Sequence, residues 1–281
     1  TSFTLMSHPQ RSLTPEQRAA LKIISPELNQ SAAVRAFREL RTTVGQRVAA
    51  GAVIMVTGVE ENSGSSFVSL NLAAAIAFDS TRTALLVDCN LRAPTLARLV
   101  ATPAPDGLTD FLDGNRTDVA DIIHGTGIER LRVVPVGKKP DRQSEYFTLD
   151  KTRRLIADLA ARYPDRQIVL DTPPIGTSAD AQILAGVCDH ILVVVPYARI
   201  SESRLLAALK SIDSKKLLGI VVNDEPTLPP LLRRWFRKSA PAEKLAPAPV
   251  STMAPTSRSA SSSATASPSA HARALLMAWR C

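Results

Sequence analysis

The sequence predicts an open α/β fold, a mostly parallel sheet doubly wound with helices on both faces, and three observations carry that prediction. Short apolar runs alternate with amphipathic ones, so the hydrophobic period switches repeatedly between strand and helix. The short runs are apolar throughout rather than at every second residue, the pattern of strands buried on both faces by crossover helices. The composition is 45% hydrophobic yet only 4% aromatic, which calls for a core of Ala, Val, Leu and Ile. A length of 281 residues suffices for one such domain with appendages.

Pro15–Ile24 and Pro26–Ala49 read as helices, each opening with proline after a capping Thr14 or Ser25. In the second, Val34, Phe37, Leu40 and Val44 recur three or four apart. Residues 1–49 form this helical lead-in. Residues 50–224 then alternate: strand Ala52–Thr57, helix Ser66–Phe78, strand Thr83–Asp88, a short element around Leu108–Leu112 and strand Leu131–Pro135. Helix Leu149–Arg162 follows, then strand Gln167–Leu170, helix Ala179–Val187, strand His190–Val195, helix Glu202–Ile212 and strand Leu217–Val222.

Residues 225–281 read as a basic tail, dominated by Ala, Ser and Pro from Ser239 to Ala270, a composition that predicts disorder. Its eight Lys or Arg face only Glu225 and Glu243, leaving +2 of the total +8 for the first 224 residues. Arg233, Arg234, Arg237 and Lys238 interleave with Leu231, Leu232, Trp235 and Phe236, as in surface-seeking amphipathic segments. Two readings stand for the tail: a solubilising extension, or a docking segment for a membrane or partner. No helix-turn-helix, zinc finger or stacking platform accompanies it, so no specific nucleic acid is expected.

Cys89, Cys188 and Cys281 show no paired spacing, which points away from a disulfide framework or zinc site and towards a reducing compartment. His8, His124, His190 and His271 are scattered without ligand spacing. Every apolar run falls far short of the roughly 20 residues that span a bilayer, and no signal peptide is evident. The expectation is a cytoplasmic chain that is soluble or meets a membrane only through a partner.

In parallel sheets of this kind, ligands bind beyond the carboxyl ends of the strands. The first strand runs VIMVTGVEENSGSS into a helix, and a glycine-containing loop at that place offers backbone amides and a helix dipole to phosphates. A working loop also wants a lysine for the outer phosphates and a Ser or Thr for magnesium. Here Gly64 and Ser66 remain, Ser65 stands where lysine is wanted, and Glu60 and Glu61 add negative charge. Unit charges about 4 Å apart interact by roughly 4 kcal/mol at an effective dielectric of about 20. A helix dipole returns only about 0.3 to 1 kcal/mol. Losing that cation therefore weakens triphosphate binding by orders of magnitude, with Arg92 a partial substitute. Ser65 and Ser66 have a second reading as helix N-caps.

The second strand ends VDCNLRAP, placing Asp88 at the sheet edge with Asn90 and Arg92 on the turn, and a later one ends QIVLDTPPI at Asp171. Two carboxylates on strand ends beside one loop suit hydrated magnesium. Either acid alone reads equally as a helix cap or a surface residue.

These residues resemble the bacterial tyrosine kinases of capsular and exopolysaccharide assembly, relatives of the septum-site and chromosome-partitioning ATPases. The resemblance runs from Pro26 to Asn223 through AFRELRTTV (Ala36 to Val44), NLAAAIA from Asn71, LLVDCNLRAP from Leu85, DGLTDFLDG from Asp106, VVPVG ending at Gly137, IVLDTPPI from Ile168, SADAQILAGVCDHILVVV from Ser178 and LGIVVN ending at Asn223. It implies a sheet of the P-loop NTPase type and ATP or ADP with magnesium as cofactors. Ser66 would meet the metal, Asp88 and Asp171 would hold or orient it, and Gly64, Ser65, Arg92 and Asn223 would border the nucleotide. An inner-membrane chain-length or co-polymerase protein would be the partner, with homo-oligomerisation a further expectation.

The departures matter as much. The family's PGEGKS is replaced by Glu61, Asn62, Ser63, Gly64, Ser65 and Ser66; the second aspartate of its DxDxR motif is Asn90; and its C-terminal tyrosine cluster is absent, the last tyrosine being Tyr197. Its ring-packing helical motif has Arg35 in place of Glu, followed by Arg38 and Arg41, which reads equally as a solvated basic face. The expected function is a kinase-like, catalytically impaired regulatory subunit of exopolysaccharide assembly and export. The alternatives are an active ATP-dependent tyrosine kinase of the same pathway and a partitioning or positioning ATPase.

Overall fold

The computed structural model describes residues 13–25, 31–100, 105–137, 146–224 and 278–280. Thr14 opens α1 (Pro15–Ala20) with a reciprocal capping box: its hydroxyl accepts from the Gln17 amide and the Gln17 side chain accepts from the Thr14 amide. This helix ends earlier than predicted. Lys22 adopts φ 53° and turns the chain so that Ile23 and Ile24 enter the core. The reason lies 47 residues on, where the buried Asn71 carboxamide accepts from the Ile24 amide at 2.7 Å and donates to the carbonyls of Lys22 and Phe67.

Helix α2 (Ala32–Arg47) is capped by Ser31, whose hydroxyl accepts from the Val34 amide at 3.1 Å, and not by Ser25, which is buried. Residues 26–30, where the predicted helix began, lie outside the described ones. Val34, Phe37, Leu40 and Val44 are all buried, as their spacing requires, and the Phe37 ring meets Phe67 edge-on at 5.7 Å.

The strands are β1 (Val53–Gly58), β2 (Thr83–Asp88), β3 (His124–Gly125), β4 (Leu131–Val134), β5 (Arg166–Asp171), β6 (His190–Pro196), β7 (Leu217–Asn223) and β8 (Ala278–Arg280). They form one sheet in the order β3-β4-β2-β5-β1-β6-β7-β8, parallel throughout except for β3 against β4. The connecting helices are α3 (Ser65–Ala77), α4 (Leu108–Leu112), α5 (Leu149–Arg162), α6 (Ala179–Val187) and α7 (Glu202–Lys210). Successive residues of β1 enter opposite layers: Ile54 and Val56 pack with α2 and α3, while Val53 and Met55 pack with α5 and α6. Both faces are covered, which is why the strands are apolar throughout.

Two strands escaped the sequence reading. β3 is only two residues long. β8 falls within the range read as a disordered tail, yet Ala278, Trp279 and Arg280 register with Ile220, Val221 and Val222. The amphipathic stretch Leu231 to Lys238 lies outside the described residues. Among the described residues no helix is long and apolar enough to cross a membrane.

Candidate nucleotide and metal site

The register brings the chemistry to one edge. Asp171 pairs across the sheet with both Asp88 and Val56, and Gly58 pairs with Val194, so the loop after β1 and the ends of β2, β5 and β6 share the carboxyl side.

The loop is laced to itself. The buried Ser63 hydroxyl donates to the Glu60 carbonyl at 2.6 Å and accepts from the Glu60 amide at 3.2 Å. Gly58 allows this close turn, since a Cβ there would sit 2.8 Å from the Ser63 Cβ. Gly64 has φ 88° and lies under Asn223, whose amide nitrogen would be 2.1 Å from any added Cβ and donates to the Ser63 carbonyl. Asn223 therefore does border the loop, through Gly64 and Ser63. Gly64 is the N-cap of α3 and Ser65 its first residue, with no side-chain capping bond, so neither Ser65 nor Ser66 caps the helix. Among the described residues the Ser65 hydroxyl has no hydrogen-bond partner; only its carbonyl is used, accepting from the Ser69 hydroxyl at 2.7 Å. Glu60 pairs with Arg204 of α7 at 2.7 Å.

Asp88 is fully buried and accepts three backbone amides, from Asn90 at 3.2 Å and from Thr95 and Leu96 at 3.0 Å. It thus receives the amides that open the turn at Leu96–Leu99 while ending β2, which fits the cap reading, and its burial overturns the surface reading. Burial raises its pKa and the amides pull it back. Asp171, also buried, accepts from the Ser69 hydroxyl at 3.1 Å, while its Oδ2 has no hydrogen-bond partner among the described residues. Burial pushes its pKa well up, the neighbouring Asp88 charge pushes it further, and the Ser66 and Ser69 hydroxyls lower it. Arg92 is exposed on the turn after β2 and acts electrostatically on the buried Asp180 of α6, opposing the rise that burial causes there.

These residues fit a divalent cation. Two adjacent buried carboxylates destabilise each other's charge, one carries a bare oxygen, and Ser66 stands beside it, all of which a hard cation would answer. The phosphate side fits less well: it offers the N-terminus of α3 and a left-handed Gly64 but no lysine.

Ser69, Ser63, Asp180 and Arg204 were missed in the sequence. Ser69 had a signal, lying three residues after Ser66 and so on the same helical face. Ser63 and Arg204 had none, because their partners are set by the turn and by a contact 144 residues away.

A mostly parallel sheet with a glycine-led loop entering a helix at its central strand, and two acids on neighbouring strand ends, defines a P-loop nucleotide-binding fold. No protein-family model matches the chain. It is 31% identical over 207 residues to tyrosine-protein kinase CpsD of Streptococcus agalactiae serotype III (strain NEM316), spanning 72% of this chain and 88% of that protein. Among solved structures, the chimerical protein CapA2B2 matches with a TM-score of 0.63 at 26% identity, over 75% of this chain and 98% of that one. The kinase domain of Escherichia coli tyrosine kinase ETK matches with a TM-score of 0.64 at 24% identity, over 80% and 86%. The chain belongs to the bacterial tyrosine-protein kinase family.

Proposed function

We propose that this chain is a kinase-like regulatory subunit with an impaired phosphate site, acting in exopolysaccharide assembly and export by docking to an inner-membrane chain-length or co-polymerase protein from the cytoplasmic side. The observation that carries the impairment is Ser65 at the head of α3, an uncharged residue beside a loop that closes on itself through Ser63 and Asn223. ATP with magnesium, when bound, would supply the transferable phosphoryl group. Asp88, Asp171 and Ser66 would hold the metal, Gly64 would let the backbone approach the phosphates, and Asn223 would border the nucleotide. The membership of a tyrosine kinase family supports the pathway, and the two buried carboxylates beside Ser66 are the part of the site suited to a cation.

That same pair favours a second reading, an active tyrosine kinase in which another cation serves the outer phosphates. Calorimetric titration with ATP and ADP, with and without magnesium, separates the two. The expected result is negligible binding by the original chain and binding tightened at least about a hundredfold in Ser65→Lys, about 2.7 kcal/mol. Tight magnesium-dependent binding by the original chain overturns the impaired reading. Deletion of the gene is expected to alter polymer amount or length; unchanged polymer sinks the pathway assignment.

A further inference from the structure

The chain holds three tyrosines, Tyr146, Tyr163 and Tyr197, and the fold treats them differently. The Tyr146 hydroxyl donates to Asp113 at 2.7 Å, so a phosphate there would face a carboxylate. The Tyr163 ring is half-buried under the Arg166 guanidinium, 3.9 Å from the ring centroid. Tyr197 alone is exposed, at 41%, and its hydroxyl has no partner among the described residues.

Its position adds to its accessibility. Tyr197 lies three residues beyond Val194, the register partner of Gly58, and so stands on the edge that carries the phosphate loop. Its amide donates to the Asn223 carbonyl at 2.8 Å, which anchors the backbone, and Ala198 at φ 53° turns the chain immediately after it. Two cations occupy the same connection and the start of α7: Arg199, paired with Asp224, and Arg204, paired with Glu60. Both pairs are substantially exposed and therefore easily exchanged for a stronger anion.

We infer that Tyr197 is the phosphate-accepting tyrosine of this chain, esterified by a competent tyrosine kinase acting in trans with a nucleoside triphosphate as donor. The trans element rests on the impaired-site reading above. In the step, the phenolic oxygen bonds to the γ-phosphorus and the bond from that phosphorus to the β-bridging oxygen breaks. The nucleoside diphosphate leaves, and the phenolic proton passes to the base of the acting kinase. The new dianion would compete with Asp224 for Arg199, and Asp224 follows the residue that lies over Gly64, so modification would bear on the loop.

The test incubates the full chain with the ETK kinase domain and magnesium ATP and maps phosphotyrosine by mass spectrometry. The expected result is phosphate on Tyr197, loss of most incorporated phosphotyrosine in Tyr197→Phe, and retention in Tyr146→Phe and Tyr163→Phe. Tyr197→Phe removes only an exposed hydroxyl, so its unfolding midpoint should match the original. Absence of phosphotyrosine, or label on Tyr146 or Tyr163 that persists in Tyr197→Phe, overturns the assignment. Phosphate on Tyr197 with ATP but without the added domain keeps the acceptor and overturns the impaired-site reading instead.

Discussion

Asp88 and Asp171 are tied by hydrogen bonds into the fold that carries them, whereas the hydroxyl of Ser65, a few residues from Asp171's partner Ser69, makes none among the described residues. Asp88 holds three amides of the turn after β2, and Asp171 holds the Ser69 hydroxyl of α3. The Ser65 side chain has no comparable duty. A substitution at Asp88 that disturbs ligand binding also removes the acceptor of that turn's amides. A position whose only duty is to face a ligand can change with the fold intact. Asp88 therefore carries a structural duty that the Ser65 side chain does not.

The sharpest way to break this comparison is Asp88→Ala. Three buried amides would lose their acceptor, and denaturant unfolding should show a loss on the order of 3 kcal/mol. A loss below about 1 kcal/mol would mean that the turn holds without it.

Asp171→Asn works in the opposite direction. The carboxyl takes up its proton more readily folded than unfolded, where it titrates near 4. That stabilisation is fully present below the unfolded value and is lost as pH rises through the raised folded value. Without divalent cations, the original chain should lose stability from about pH 4 upward, and the variant should lose less. At pH 8 the variant should be more stable, on the order of 2 kcal/mol, by thermal unfolding. Magnesium should stabilise the original chain and not the variant.

Gly64→Ala should cost about 1 to 2 kcal/mol, from its φ of 88° and the collision with Asn223. Adding Asn223→Ala should recover the collision but not the dihedral strain. The smallest effect belongs to Arg204→Ala. Its ion pair to Glu60 is 71% exposed on the Arg204 side, so stability should change by less than about 0.5 kcal/mol.

These differences also explain what could be read from residues alone. Thr83–Asp88, Leu149–Arg162 and Ala179–Val187 appear at their predicted bounds, because apolar period, caps and sheet burial all agree there. The lead-in was misjudged because Asn71, 47 residues away, pulls Ile24 out of a helical turn that local propensity favours. Asp88 and Asp171 were visible as acids ending apolar strands. The clasp of Ser63 on Glu60 was not, since a buried serine in a turn resembles any loop serine until its hydrogen bonds are known.

β8 joins β7 across more than 50 intervening residues, through three residue pairs. Three residue pairs make a short ladder, so this rim of the sheet opens with little effort. When it opens, the amides and carbonyls of β7 stand bare beside the loop-bearing edge, a template for strand addition by any extended segment nearby.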